Sequence, residues 1–131
     1  MQRKLALLAT QTTNLRRHLE GIDRKVFVDD WALRSMAERA LQVAAEIVID
    51  IAERLIATQG AGPVATATDA IRRLAELGMI KSAAPYLDIV RFSNLIVHEY
   101  EQIDADVLFT LATEHLEDFG AFRAEIDALE E

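Results

Sequence analysis

Ala40-Leu-Gln-Val-Ala-Ala-Glu-Ile-Val-Ile-Asp-Ile-Ala-Glu-Arg-Leu-Ile56 is the stretch whose period decides the fold. The period is already set at Trp31, from which Leu33, Met36, Ala40, Val43, Ala44, Ile47, Val48, Ile51, Leu55 and Ile56 recur at helical spacing. That run predicts the longest helix of the chain and the spine of its core. Gln42, Glu46, Asp50, Glu53 and Arg54 fall mostly on one side, and the alanines between them permit close approach by neighbouring helices. Glu46 and Asp50, four apart, have the spacing of a divalent-metal pair. No second acidic pair or histidine matches them as di-metal bundles require, so a solvated face is the expectation.

On the N-terminal side, Leu5, Leu8, Leu15 and Leu19 form the stripe of an amphipathic helix over residues 3 to 20, which Gly21 ends. Asp23 is placed to cap the second, long helix. On the C-terminal side, Gln59-Gly-Ala-Gly-Pro63 breaks the chain. Thr66, with Asp69 three positions on, starts a short third helix that Gly78 closes. Ser82 then caps a fourth helix with Pro85 tolerated in its first turn, and Asp104 caps a last one carrying Val107, Leu108, Leu111, Leu116, Phe119, Phe122 and Ile126. With no strand pattern, the reading is an all-α bundle of about five helices, one domain over residues 1–131.

Composition narrows the function. The 131 residues carry no cysteine, which removes disulfides and thiolate metal sites and makes the cytoplasm the expected compartment. The apolar run in Met1-Gln-Arg-Lys-Leu-Ala-Leu-Leu-Ala-Thr10 is too short for a secretory signal, and no run approaches the roughly 20 apolar residues of a membrane span. A net charge of −8 argues against an indiscriminate nucleic-acid coat, so any RNA contact must be local. The basic pairs Arg16-Arg17, Arg24-Lys25 and Arg72-Arg73 read as solvated helix faces unless they converge in space.

The chemistry concentrates in Arg91-Phe-Ser-Asn-Leu-Ile-Val-His98-Glu-Tyr100. Arg91, Asn94 and His98 are related as i, i+3 and i+7, which puts all three on roughly one face of the fourth helix. An arginine and a histidine so placed suit transphosphorylation of RNA. The ribose 2′-hydroxyl attacks the adjacent phosphorus, an imidazole that titrates near neutrality relays the proton, and the guanidinium neutralises the developing phosphorane oxygens. No metal or other cofactor is needed when the nucleophile is internal. One histidine cannot readily take the proton from the nucleophile and give one to the leaving oxygen, so a two-fold dimer with two copies makes physical sense.

The pattern Arg-x6-His-x-Tyr, together with residues 38–52, Ile103-Asp-Ala-Asp106 and His115-Leu-Glu-Asp-Phe119, resembles the HepT-like family of HEPN-domain proteins over nearly the whole chain. The resemblance implies a homodimeric, metal-independent endoribonuclease whose cleft lies at the dimer interface. Arg91 and His98 would be its catalytic residues and Asn94 would position the substrate. It also implies a toxin of a type II toxin-antitoxin pair, whose partner is a minimal nucleotidyltransferase that adds AMP to the tyrosine of His-x-Tyr, here Tyr100. A phosphate-bearing group beside His98 would block RNA by bulk and like-charge repulsion.

The chain departs from the family pattern at one position: the usual arginine immediately before the asparagine is Ser93. Positions 91 and 93 are about 200° apart on a helix, so Arg91 replaces that arginine only if its long side chain bends round or the partner subunit uses it. The alternative reading is therefore a catalytically impaired HEPN protein that keeps the dimer and the nucleotidyltransferase partner. A third is an acidic helical interaction domain in which Arg91 and His98 make only surface hydrogen bonds.

Overall fold

The structure, a computed structural model, describes residues 1–98 and 104–129, without the side chains of residues 96–98. Among the described residues it contains seven helices and no strand: α1 (Gln2–Leu19), α2 (Arg24–Asp29), α3 (Trp31–Thr58), α4 (Ala67–Glu76), α5 (Ala84–His98), α6 (Ala105–Glu114) and α7 (Leu116–Leu129). The all-α expectation holds, and the count of five is corrected by two breaks.

The first break lies at Asp30. Asp23 caps only the short α2, where its carboxylate accepts from the Val26 N–H; Asp30 leaves helical geometry (φ −105°, ψ 103°) and accepts from the Leu33 N–H to start α3. The interruption lets Phe27, fully buried, turn into the core, where its ring lies 5.1 Å from that of Phe109. The second break lies at His115, between α6 and α7. Thr113 bonds back to the Phe109 carbonyl at 2.8 Å, a contact that bends helices, and Glu117 and Asp118 favour the new N-terminus electrostatically.

α3 packs against each of the other six helices. That explains why its buried face is wider than the periodicity of its large residues indicates. Ala37, Leu41, Ala45 and Ala52 are buried beside Ala44, Ile47, Val48, Ile51 and Ile56, while Leu33, Met36, Ala40, Val43 and Leu55 are half-buried at the margin. The small residues let neighbouring helices close on α3 from several sides. Leu5, Leu8, Leu15 and Leu19 of α1 cover one flank, and Phe119, Phe122 and Ile126 of α7 join the same core.

Local chemistry closes the elements as their sequences lead one to expect. Thr66 accepts from the Asp69 N–H at 3.1 Å to start α4. Gly78 (φ +74°) ends it, with Met79 N–H on the Leu74 carbonyl and Gly78 N–H on that of Ala75. Asp50 of α3 accepts from Lys4 of α1 at 2.7 Å and from Arg54 at 2.9 Å, and Gln42 donates to Glu46. The polar stripe of α3 is thus a paired surface, and among the described residues no group of three or more metal-ligand side chains stands together.

Candidate active site

α5 is the helix that carries the Arg-x6-His pattern. The Ser82 hydroxyl accepts from the Ala84 N–H at 3.3 Å and Pro85 sits in the first turn, where its missing N–H costs no helical hydrogen bond. Tyr86, Ile89, Val90 and Phe92 bury one side of the helix against the core. The start of α5 is anchored to α7 twice. The Tyr86 ring meets Phe122 edge-on at 5.1 Å, and its hydroxyl donates to Glu125, whose other oxygen accepts from the Lys81 N–H at 2.8 Å. Burial, then the Glu125 hydrogen bond and the charges of Glu125 and Asp118, push the Tyr86 phenol far above its ordinary range.

Beyond this anchor the helix turns its polar face outward. The Arg91 side chain is 73% exposed and its guanidinium donates to Asp88, one turn back, at 2.8 Å. Asn94 is exposed as well, so two of the expected site residues share the solvent face. His98 is the last described residue of the helix, in register with that face at the backbone level. Tyr100 lies outside the described residues. Ser93 points the other way and is 6% exposed, the one buried polar residue among those described. Position 93 therefore looks into the bundle, and Arg91 cannot reach its place without leaving the solvent face.

The basic pairs do not assemble around Arg91. Arg24 ties α2 to α6, donating to the Asp106 carbonyl at 2.9 Å and to Thr110 at 3.1 Å, with its guanidinium 4.9 Å above the Phe109 ring. Arg73 pairs with Glu76 on its own helix. Three groups to which the sequence reading gave no site role do lie with Arg91: Asp88 and, from the His115–Phe119 segment, His115 and Asp118. A cleft of about 240 Å³ between α5 and the α6–α7 break is lined by Asp88 and Arg91 on one rim and His115 and Asp118 on the other. The signal that would have found them is the i,i+3 spacing of both pairs, Asp88–Arg91 and His115–Asp118.

The bundle organised on one long central helix, with the helix of Arg91 and His98 packed against it and Arg91 facing solvent, is the architecture of a solved HEPN toxin. The chain belongs to the ribonuclease HepT-like family, whose model matches residues 8–126. It is 30% identical over 104 residues to the mRNA nuclease HepT of Shewanella oneidensis, covering 76% of this chain and 77% of that protein. Among solved structures, the tri-AMPylated Shewanella oneidensis HEPN toxin in complex with its MNT antitoxin superposes with a TM-score of 0.86 at 25% identity, over 96% of this chain and 95% of that one. A toxin-antitoxin structure with AMP-PNP matches equally, with a TM-score of 0.86, 25% identity and 96% of each chain. No helix among the described residues is long and apolar enough to cross a membrane.

Proposed function

We propose that this chain is a metal-independent endoribonuclease toxin that cleaves RNA by 2′-hydroxyl transphosphorylation. The observation that carries the reading is the exposed guanidinium of Arg91, on a cleft, on the helix that also carries His98, in a chain of the ribonuclease HepT-like family. Arg91 neutralises the phosphorane oxygens, and His98 acts as general acid and base. Asn94, on the same exposed face, orients the phosphate or ribose. Two copies of His98 are supplied by a homodimer, one taking the 2′-hydroxyl proton and the other protonating the leaving 5′-oxygen. The nucleophile belongs to the substrate, so the step itself calls for no metal.

Control follows from the relative that is found AMPylated in complex with its nucleotidyltransferase-type antitoxin. Here the partner is a minimal nucleotidyltransferase and the acceptor is Tyr100, two residues from His98, where an added AMP places negative charge in the path of the RNA. Both partners act in the cytoplasm.

A second reading is favoured by one observation, the burial of Ser93. The family's usual arginine position is turned into the bundle and holds a small hydroxyl, which fits a dimeric, catalytically impaired partner of a nucleotidyltransferase. Incubating unmodified protein with mixed RNA in excess EDTA separates the two. The proposal predicts cleavage by the wild type and at least a hundredfold loss in both His98→Ala and Arg91→Ala. A folded, unmodified, dimeric wild type that leaves the RNA intact would establish the binding reading instead.

A further inference from the structure

The cleft beside Arg91 holds groups that the cleavage step does not use. Its walls are apolar, formed mainly by Phe92, Leu95, Val107, Leu111 and Phe119, and its rims carry two acid–base pairs. One is Asp88–Arg91 at 2.8 Å on α5. The other is His115–Asp118 across the α6–α7 break, with Nδ1 3.6 Å from the carboxylate. Leu95 and Val107 remain 40% and 46% exposed, so the slot is open to solvent.

These features select an occupant. At about 240 Å³ the space falls below the roughly 300–1,000 Å³ of sites for drug-sized ligands. It suits one flat ring system. The apolar walls accept an unstacked ring face, the carboxylates of Asp88 and Asp118 accept N–H groups on the ring edge, and Arg91 and His115 meet an attached anion. A ring with polar edges and an attached anion is a nucleotide.

We propose that this cleft is a single-nucleotide subsite, in which Arg91 and His115 take phosphate oxygens from opposite rims while the base of one RNA residue lies against the apolar walls. The proposal rests on the ribonuclease reading, and it makes His115 a substrate-binding residue and the cleft the source of any base preference.

The test is methyl NMR of the unmodified protein titrated with each of the four nucleoside 3′-monophosphates. The methyl resonances of Leu95, Val107 and Leu111 are expected to shift with at least one of them. His115→Ala should weaken that binding about tenfold, His115→Arg should restore it, and Val107→Trp, at an exposed position, should abolish it by filling the slot. Methyl groups unmoved up to roughly 10 mM nucleotide overturn the proposal. So does wild-type affinity in His115→Ala, or a Val107→Trp variant that converts a dimer to monomers, which would make the cleft a subunit contact. Nucleotide binding by a protein that cleaves no RNA would remove the ribonuclease reading and keep the subsite. Cleavage with unmoved methyl groups would do the reverse.

Discussion

At Tyr86 a single hydroxyl fastens the start of the site helix to α7, and Glu125 is held on its other oxygen by the Lys81 N–H. Tyr86→Phe leaves the ring against Phe122 and removes only the hydrogen bond. It should therefore cost about 1–2 kcal/mol in urea unfolding at neutral pH. Because the folded-state pKa of Tyr86 is raised, its contribution is present in full below the ordinary tyrosine value of about 10 and is lost as pH rises through the folded value. The gap between wild type and Tyr86→Phe should accordingly narrow only in strong alkali.

Asp50 has the opposite sign. The hydrogen bond from Lys4, opposed by some burial and reinforced by the charges of Lys4 and Arg54, holds its carboxyl below the usual range. Its contribution is present above the unfolded value of about 3.9 and is lost as pH falls through the folded one. The pair is partly exposed, so Asp50→Asn should cost no more than about 1 kcal/mol at pH 7, and the difference should vanish in acid melts. An undiminished difference well below the carboxylate range would show that the Lys4 contact is not its source.

Among the elements, two glycines in the same bundle call for opposite outcomes. Gly78 closes α4 at φ +74°, where an L side chain is strained, so Gly78→Ala should lower stability by about 1–2 kcal/mol. Gly120 lies within α7 with nothing within 4 Å of a Cβ built there, so Gly120→Ala should raise stability by about 0.5–1 kcal/mol. Thermal melts of the two variants check both signs. The caps and breakers Thr66, Gly78 and Asp104 act where they are expected, while Ser82 lies one residue ahead of the cap position of α5 and its hydroxyl accepts from the Ala84 N–H. The breaks at Asp30 and His115 were not legible. At Asp30 a short polar residue inside a helical period is ordinary until its carboxylate turns back to the Leu33 N–H. At His115 the apolar spacing of Leu108, Ala112, Leu116 and Phe119 runs on unbroken, and only the bend separates the helices. Arg91 and Asn94 were legible as a face because helical geometry alone sets it. His115 was not, because its place opposite Arg91 depends on how α5 packs against the α6–α7 corner.

For the whole molecule, the proposed function requires a chain of net charge −8 to bring an anionic polymer to the exposed Arg91. In that proposal the burden falls on local contacts and on a second copy of the site. Sedimentation of the unmodified protein should give a homodimer, and a monomer at the concentrations where RNA is cleaved would remove the two-histidine scheme. The most direct test of the central claim is the chemistry of the ends left on cleaved RNA. With wild-type protein in excess EDTA, an internal 2′-hydroxyl nucleophile leaves 2′,3′-cyclic phosphate on one fragment and a 5′-hydroxyl on the other, and mass spectrometry should find both, with neither formed by His98→Ala or Arg91→Ala. Fragments ending in 3′-hydroxyl and 5′-phosphate, or cyclic phosphate formed undiminished by those variants, would contradict it.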